Sequence, residues 1–241
     1  MRIAVISDVH GNRLALEAVE ASIAMVGVDA TINLGDLFAG PLDPVGTADL
    51  LIERNYPTVI GNHDRYIADG LRSSSKAPVD AFVSERLRPV HLDYLRSLPA
   101  TRDIEGEVFL CHGTPDSDEE PWLDGWWSDR TVTMPGEASV TAKAEGLDFP
   151  VLLCGHTHVS RIVRLRDGRL VVNPGSVGLQ FNYGAPDARY AVLERHGGQW
   201  SASIRAVPYD FEAAAQQVIA NGFPHWAEAI RTGWASAIGL F

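Results

Sequence analysis

Five short motifs in this 241-residue chain combine imidazole, carboxylate and amide side chains. They are Asp8-Val9-His10, Gly35-Asp36, Gly61-Asn62-His63-Asp64, His112-Gly113 and Gly155-His156-Thr157-His158. Five of the eight histidines fall inside them, and only His91, His196 and His225 lie outside. Imidazole nitrogen together with carboxylate and amide oxygen suits Mn, Fe or Zn, with Mg a poorer match. The donors suffice for two divalent ions rather than one. A carboxylate shared by two cations lets them lie about 3.5–4 Å apart, and Asp36, in the middle of the set, is the natural bridge. Taken singly, each motif is a common capped turn or structural histidine. Their conjunction, each time after an apolar run, carries the reading.

For these residues to meet, elements far apart in sequence must end at one rim. Arg2–Ser7 is a near-continuous apolar run, as in a strand buried on both faces. Leu14–Met25 has helical apolar spacing and stops at Gly27, Ala30–Leu34 reads as a strand, and Pro44–Arg54 reads as a helix with Pro near its start. Pro57–Ile60 reads as a third strand. Asp8 and Asp36 are 28 residues apart and Asp36 and Asn62 are 26 apart, each about one strand plus one crossover helix. In parallel α/β sheets the loops at the carboxyl ends of strands converge on one crevice.

Residues 64–98 read as mostly helical, broken at 73–78 and at Pro89. Glu107–Cys111 and Val151–Cys154 read as strands, with 113–150 between them the most irregular part of the chain and a helix over 137–146. Ser160–Leu165, Arg169–Val172, Tyr190–Arg195 and Trp200–Val207 read as strands joined by hairpin signals at Asp167-Gly168 and Gly197-Gly198. The expected architecture is α/β, one domain over 1–241, with parallel strands early and antiparallel strands late. An irregular loop region spans 113–136, and helices at 209–233 close the chain.

Composition narrows the function. The chain is 46% hydrophobic and 21% charged, ordinary for a globular protein, and its formal charge is −11. That acidic excess argues against general nucleic-acid binding and against an anionic membrane surface. A small phosphorylated substrate stays compatible, because bound metal reverses the sign of a site locally. Cys111 and Cys154, the two cysteines, exclude a disulfide scaffold and read as small buried hydrophobes. No apolar run approaches the roughly 20 residues of a membrane span, and the first ten residues do not read as a signal peptide. The expectation is a soluble cytoplasmic protein, with self-association left open.

Together the five motifs resemble the signature of the calcineurin-like metallophosphoesterase superfamily, over residues 1 to about 207. Asp8-Val9-His10-Gly11-Asn12 with Ala15-Leu16, the segment Asn173-Pro174-Gly175-Ser176-Val177-Gly178, and Tyr209-Asp210-Phe211 look like its small prokaryotic phosphodiesterase-like branch. The resemblance implies a four-layer α/β/β/α sandwich with two central mixed β-sheets. It implies that Asp8, His10 and His158 hold one ion, that Asn62, His112 and His156 hold a second, and that Asp36 bridges them. His63 would act on the transition state or leaving group, with Asp64 orienting its ring. The implied activity is hydrolysis of phosphodiesters or small phosphomonoesters through in-line attack of a metal-bridging hydroxide. A nucleotide polyphosphatase, a phosphoprotein phosphatase and a non-catalytic scaffold of the same fold are the alternatives. One departure is that Leu179-Gln180-Phe181-Asn182-Tyr183-Gly184 stands where the branch commonly carries Arg and Asp.

Weaker features complete the reading. Asn12 and Arg13 open the first helix and could contact substrate, or else cap the helix and face solvent. Asn173–Gly178 reads as a turn supporting the His156–His158 loop. Trp122, Trp126 and Trp127 read as packing, with stacking on a base or aryl group as the sharper alternative. Asp116–Glu120 reads as a solvated loop face, and the last helices read as amphipathic packing elements.

Overall fold

The computed structural model describes residues 1–70, 78–128, 131–181 and 184–234. Strands β1 (Arg2–Ile6) and β2 (Ala30–Asn33) pair in parallel. The crossover between them is helix α1 (Arg13–Val26), capped by the Asn12 side chain and stopped by left-handed Gly27. Helix α2 (Pro44–Arg54) begins at its proline, after the Asp43 carboxylate accepts the Gly46 N–H. Helices α3 (Asn62–Asp69), α4 (Pro78–Ser84) and α5 (Pro89–Ser97) fill the stretch expected to be helical.

Two mixed sheets form the centre. Antiparallel strands β10 (Ala188–His196) and β11 (Gln199–Val207) return from the end of the chain to join the first sheet, in the order β11-β10-β1-β2. The second sheet has the order β3-β4-β7-β9-β8. Its strands are β3 (Thr101–Ile104), β4 (Val108–Cys111), β7 (Val151–Leu153), β8 (Arg161–Arg164) and β9 (Leu170–Asn173). In it, β4, β7 and β9 run parallel, flanked by antiparallel β3 and β8. The division into early parallel and late antiparallel strands therefore does not hold, because each sheet mixes both senses.

Period-two alternation explains the layering. Ile3 and Val5 of β1, Val108 and Leu110 of β4, and Val151 and Leu153 of β7 meet in one apolar cluster between the sheets. Ala4 and Ile6 point the other way, into a cluster with Leu16, Val19, Leu51, Val218 and Trp226 from the helices. Phe109, Cys111, Leu152 and Cys154 face the opposite outer layer, packing against Trp122, Leu123 and Val140. Both cysteines are free and buried, as expected. Helix α6 (Glu137–Ala142) supplies that outer layer, and the result is the expected α/β/β/α sandwich. Helices α7 (Phe211–Ala220) and α8 (Ala227–Thr232) pack on the first sheet's side.

Three local expectations need correction. Pro57–Ile60 is no full strand: it lies beside β2 through the Asn33–Thr58 bridge, with Asn33 N–H donating to the Pro57 carbonyl. Val59 N–H returns a bond to the Asn33 carbonyl (3.1 Å), and the pairing goes no further. The helix over 137–146 ends at Ala142 and runs into turns that reach left-handed Gly146. Within the region expected to be irregular, β5 (Gly125–Ser128) and β6 (Thr131–Thr133) form a small hairpin. Among the described residues no helix is long and apolar enough to cross a membrane.

The segment after β9 locks onto the segment after β1. Val177 N–H donates to the Ser7 carbonyl (2.9 Å) and Gly178 N–H to the Asp8 carbonyl (3.0 Å). A Cβ on Gly178 would sit 1.8 Å from the Val9 carbonyl oxygen, so only glycine permits this approach. We predict that Gly178→Ala destabilises the fold by on the order of 1–3 kcal/mol, the range for overpacking. Urea denaturation would read this, and an unchanged midpoint would show that the approach is not a constraint.

Candidate metal centre

Four of the five motifs start where a strand ends. Asp8 and His10 follow β1, Gly35-Asp36 follows β2, His112 follows β4, and Gly155–His158 follows β7. Asn62 and His63 instead occupy the first turn of α3. The parallel pairs β1–β2 and β4–β7 put their carboxyl ends at one rim, as the spacing predicts.

Three of the histidines are fixed by backbone carbonyls. His10 Nδ1 lies 2.7 Å from Ala39 O, His112 Nδ1 2.7 Å from Leu34 O, and His158 Nδ1 2.7 Å from Leu179 O. A carbonyl can only accept, so Nδ1 carries the proton and Nε2 is turned toward the site. His10 Nε2 and His158 Nε2 then lie 3.0 Å apart. Burial holds both rings below the ordinary imidazole range, so both are neutral. Two nitrogen lone pairs at that distance repel unless a cation stands between or beside them.

Carboxylates complete the cluster. Asp8 Oδ1 is buried, accepts no hydrogen bond, and lies 3.5 Å from His158 Nε2 and 3.9 Å from His112 Nε2. Asp36 Oδ2 lies 3.3 Å from His112 Nε2 and 3.8 Å from His10 Nε2. Asn62 Oδ1 lies 3.2 Å from His112 Nε2 and 3.1 Å from His156 Nδ1. Donor atoms of Asp8, His10 and His158 lie mutually within 4.8 Å, and so do those of Asp8, Asp36 and His112. Asp8 is therefore common to both triads, while Asp36 reaches toward a histidine of each. The donor set fits divalent cations: an orphaned carboxylate oxygen and opposed imidazole lone pairs both need positive charge.

The backbone shows the same focus. Among the described residues, seven other than glycine have positive φ, and five of them are Asp8, His10, Asp36, His156 and His158. Such conformations cost roughly 1–3 kcal/mol each and persist where surroundings over-determine them. Gly61 permits one such fit, because a Cβ there would lie 2.2 Å from Asp36 Oδ1. Nothing in the sequence pattern marks these conformations, since left-handed backbone is read most easily from glycine.

A comparison with family models matches residues 1–198 to the calcineurin-like phosphoesterase superfamily domain. The chain belongs to the calcineurin-like phosphoesterase superfamily. An uncharacterised protein of Methanocaldococcus jannaschii is 28% identical over 237 residues, covering 93% of this chain and 94% of that protein. The crystal structure of a metallophosphoesterase from Sphaerobacter thermophilus is 27% identical, with a TM-score of 0.80, covering 97% of this chain and all of that one.

The remaining expected residues fall into place differently. His63 is half-buried, its ring edge-on to His10 at 5.5 Å between centroids, and its N–H donates to Asp36 Oδ1 (2.9 Å). The Asp64 carboxylate is engaged by the backbone: one oxygen accepts Leu37 N–H (2.9 Å) and the other Gly61 N–H (3.2 Å), tying the Asp36 loop to the start of α3. At the third helical position a carboxylate folds back on the uncapped amides. Asn12 is wholly buried: its oxygen caps α1 at Ala15 N–H, and its amide donates to Gly178 O and Tyr209 OH. These bonds give it a capping role in the fold. Arg13 is paired with Glu17 (2.7 Å) on the surface of α1.

The acidic run of the 113–136 loop is solvated as expected at Asp116, Glu119 and Glu120, yet it is also tied down. Arg65, on α3, makes a two-pronged pair with Asp118 and a further bond to Glu119, Tyr66 OH donates to Glu119, and Lys143 pairs with Glu120. Trp122 is buried and donates its indole N–H to the Val140 carbonyl (3.0 Å), a packing role. The side chains of Trp126 and Trp127 lie outside the described residues. As expected, Asn173–Gly178 supports the histidine loop: the Asn173 amide donates to Gly155 O (2.7 Å), and Ser176 OH donates to Asp8 O (2.7 Å).

The cluster carries its positive charge on buried imidazole. Burial works against a charged His112, but Asp36 and Asp8 overcome it and push the ring up to about 10. Burial raises Asp8 to about 7. Burial also opposes Asp36 ionisation, yet His112 and His63 hold it well below the usual carboxylate range. Cation binding at His112 Nε2 and Asp8 Oδ1 requires both groups to lose their protons. Affinity for Mn²⁺ should therefore rise with pH from about 6 to 10, and binding at pH 7 should expel protons. Calorimetry in two buffers of different ionisation enthalpy tests this, and identical apparent enthalpies would refute it.

Proposed function

We propose that this chain is a divalent-metal-dependent phosphoesterase acting on phosphodiesters or small phosphomonoesters. The observation that carries the reading is the pair of buried donor triads sharing Asp8, with imidazole lone pairs opposed at 3.0 Å. In this reading Asp8, His10 and His158 hold one ion, Asn62, His112 and His156 a second, and Asp36 stands between them. Mn, Fe or Zn suits these donors. When bound, the ions supply charge neutralisation at phosphate oxygens and a lowered pKa for coordinated water.

The chain's own residues do the rest. Three backbone carbonyls hold His10, His112 and His158 with Nε2 toward the centre, so the donors are organised before substrate arrives. His63 sits at the partly open edge of the cluster and is no member of either triad. Its backbone N–H is fixed on Asp36, which aims the imidazole to pass a proton to a leaving oxygen. Phosphate esters fit because their oxygens take the place of water around paired cations in an otherwise acidic protein.

The deciding experiment is to strip the protein with chelator and restore Mn²⁺, Zn²⁺, Fe²⁺, Co²⁺ or Mg²⁺ separately. Hydrolysis of bis-p-nitrophenyl phosphate is followed beside p-nitrophenyl phosphate. Metal-dependent turnover is expected, and the ratio of rates assigns diester or monoester preference. Two ions bound without turnover of either ester would favour a non-catalytic scaffold. His63→Ala should keep its metal and lose about 10²-fold or more in turnover, within the range for acid–base groups. Full turnover in that variant would remove His63 from the mechanism. Asp36→Asn should lose at least one ion, as read by metal analysis after gel filtration.

A further inference from the structure

Thr157 separates the two histidines of the last motif, and both neighbours are held in left-handed backbone, His156 at φ 69° and His158 at φ 58°. Strain on both sides of one residue needs an external anchor. The Thr157 hydroxyl supplies it. It donates to Asp124 Oδ2 at 2.6 Å and accepts the Asn173 amide at 3.1 Å. Asp124 is itself buried and comes from the long loop region, outside every motif. Its other oxygen accepts the Arg161 guanidinium at the start of β8. The carboxylate is placed by the residues just before it: Trp122 and Leu123 are inserted in the outer core beside Val140.

The geometry points to Asp124 as a positioning residue for the metal centre, acting through the Thr157 hydroxyl to hold His156 and His158 at their separate places. This inference rests on the metal-centre reading above. His158 belongs to the triad with Asp8 and His10, whereas His156 faces Asn62. One hydroxyl therefore sets the relation between the two halves of the site. The chemistry of the carboxylate matters: two donors, Thr157 and Arg161, converge on two acceptor oxygens. An amide in the same place has one acceptor oxygen and would present N–H to one of those donors.

The test compares Thr157→Val, Thr157→Ser, Asp124→Ala and Asp124→Asn in the full chain, using Mn²⁺ alone as the probe. Affinity is read by competition with a chelator, the visible spectrum of the Co²⁺-loaded protein reports the ligand field, and melting of the metal-free protein controls for folding. Thr157→Val and Asp124→Ala should each weaken Mn²⁺ by roughly ten- to hundredfold, the range for groups that orient ligands. Both should alter the Co²⁺ spectrum. Thr157→Ser restores the hydroxyl and should return affinity close to wild type. Combining Thr157→Val with Asp124→Ala should cost little more than either alone, because both remove the same contact. If Asp124→Ala does not fold, Asp124→Asn takes its place and should also bind more weakly. Wild-type affinity in Thr157→Val, or a Thr157→Ser variant as weak as it, overturns the inference. A wild-type chain that takes up no Mn²⁺ overturns the metal-centre reading as well, so the two failures are told apart.

Discussion

Everything at the rim of this sandwich answers to one electrostatic requirement: buried lone pairs pointed at one another. His10 and His158 present Nε2 atoms 3.0 Å apart, and Asp8 adds a buried oxygen without a hydrogen bond. An arrangement of that kind is unfavourable in isolation, since desolvated acceptors gain nothing from each other. It persists because three carbonyls dictate where the imidazole protons go, and because five strained backbone positions are pinned by the surrounding ladders. Positive charge resolves the conflict. Charge on His112 answers Asp36 and Asp8, and a divalent cation would answer the opposed imidazole lone pairs.

The sandwich is the scaffold such a centre needs. Parallel strands send their carboxyl ends to one edge, and the antiparallel returns, β10 with β11 and β8 with β9, cover the flanks without adding long crossovers. Packing reaches the site through few intermediaries. Trp122 fills the outer core, Asp124 follows two residues later, and its carboxylate holds the turn that carries two histidines. In the same way Asn12 is used up in joining α1 to Gly178 and Tyr209, so a residue beside the ligands serves the fold.

What could be read from the sequence follows from range. Asp8, His10, Asp36, Asn62, His112, His156 and His158 were legible because each stands in a short motif, most of them directly after an apolar run, and because their atom types agree on one chemistry. Helix α2 was legible to its bounds because proline and Asp43 mark its start locally. Residues whose meaning lies in distant partners were not legible. Asp124 looks like any loop acid until Thr157 is seen beside it. The acidic run at 116–120 reads as solvated until Arg65 and Lys143 arrive from elsewhere in the chain. The two backbone amides that engage the Asp64 carboxylate, one of them at Leu37, are likewise visible only in the fold. Strand β3 was missed because only one side of it is paired, and three of its four residues are polar.

The bond from His112 to the Leu34 carbonyl joins a residue that follows β4, in one sheet, to one that follows β2, in the other. Donors for each half of the site likewise come from both sheets. A cation held there is a clasp at the open edge of the sandwich, and no single sheet can close it. Its binding free energy is gained only after the two sheets have met, and it is added to the cohesion between them. Loading with metal would thus serve as a checkpoint on assembly: a chain with one sheet astray would have half the donors and no grip on an ion.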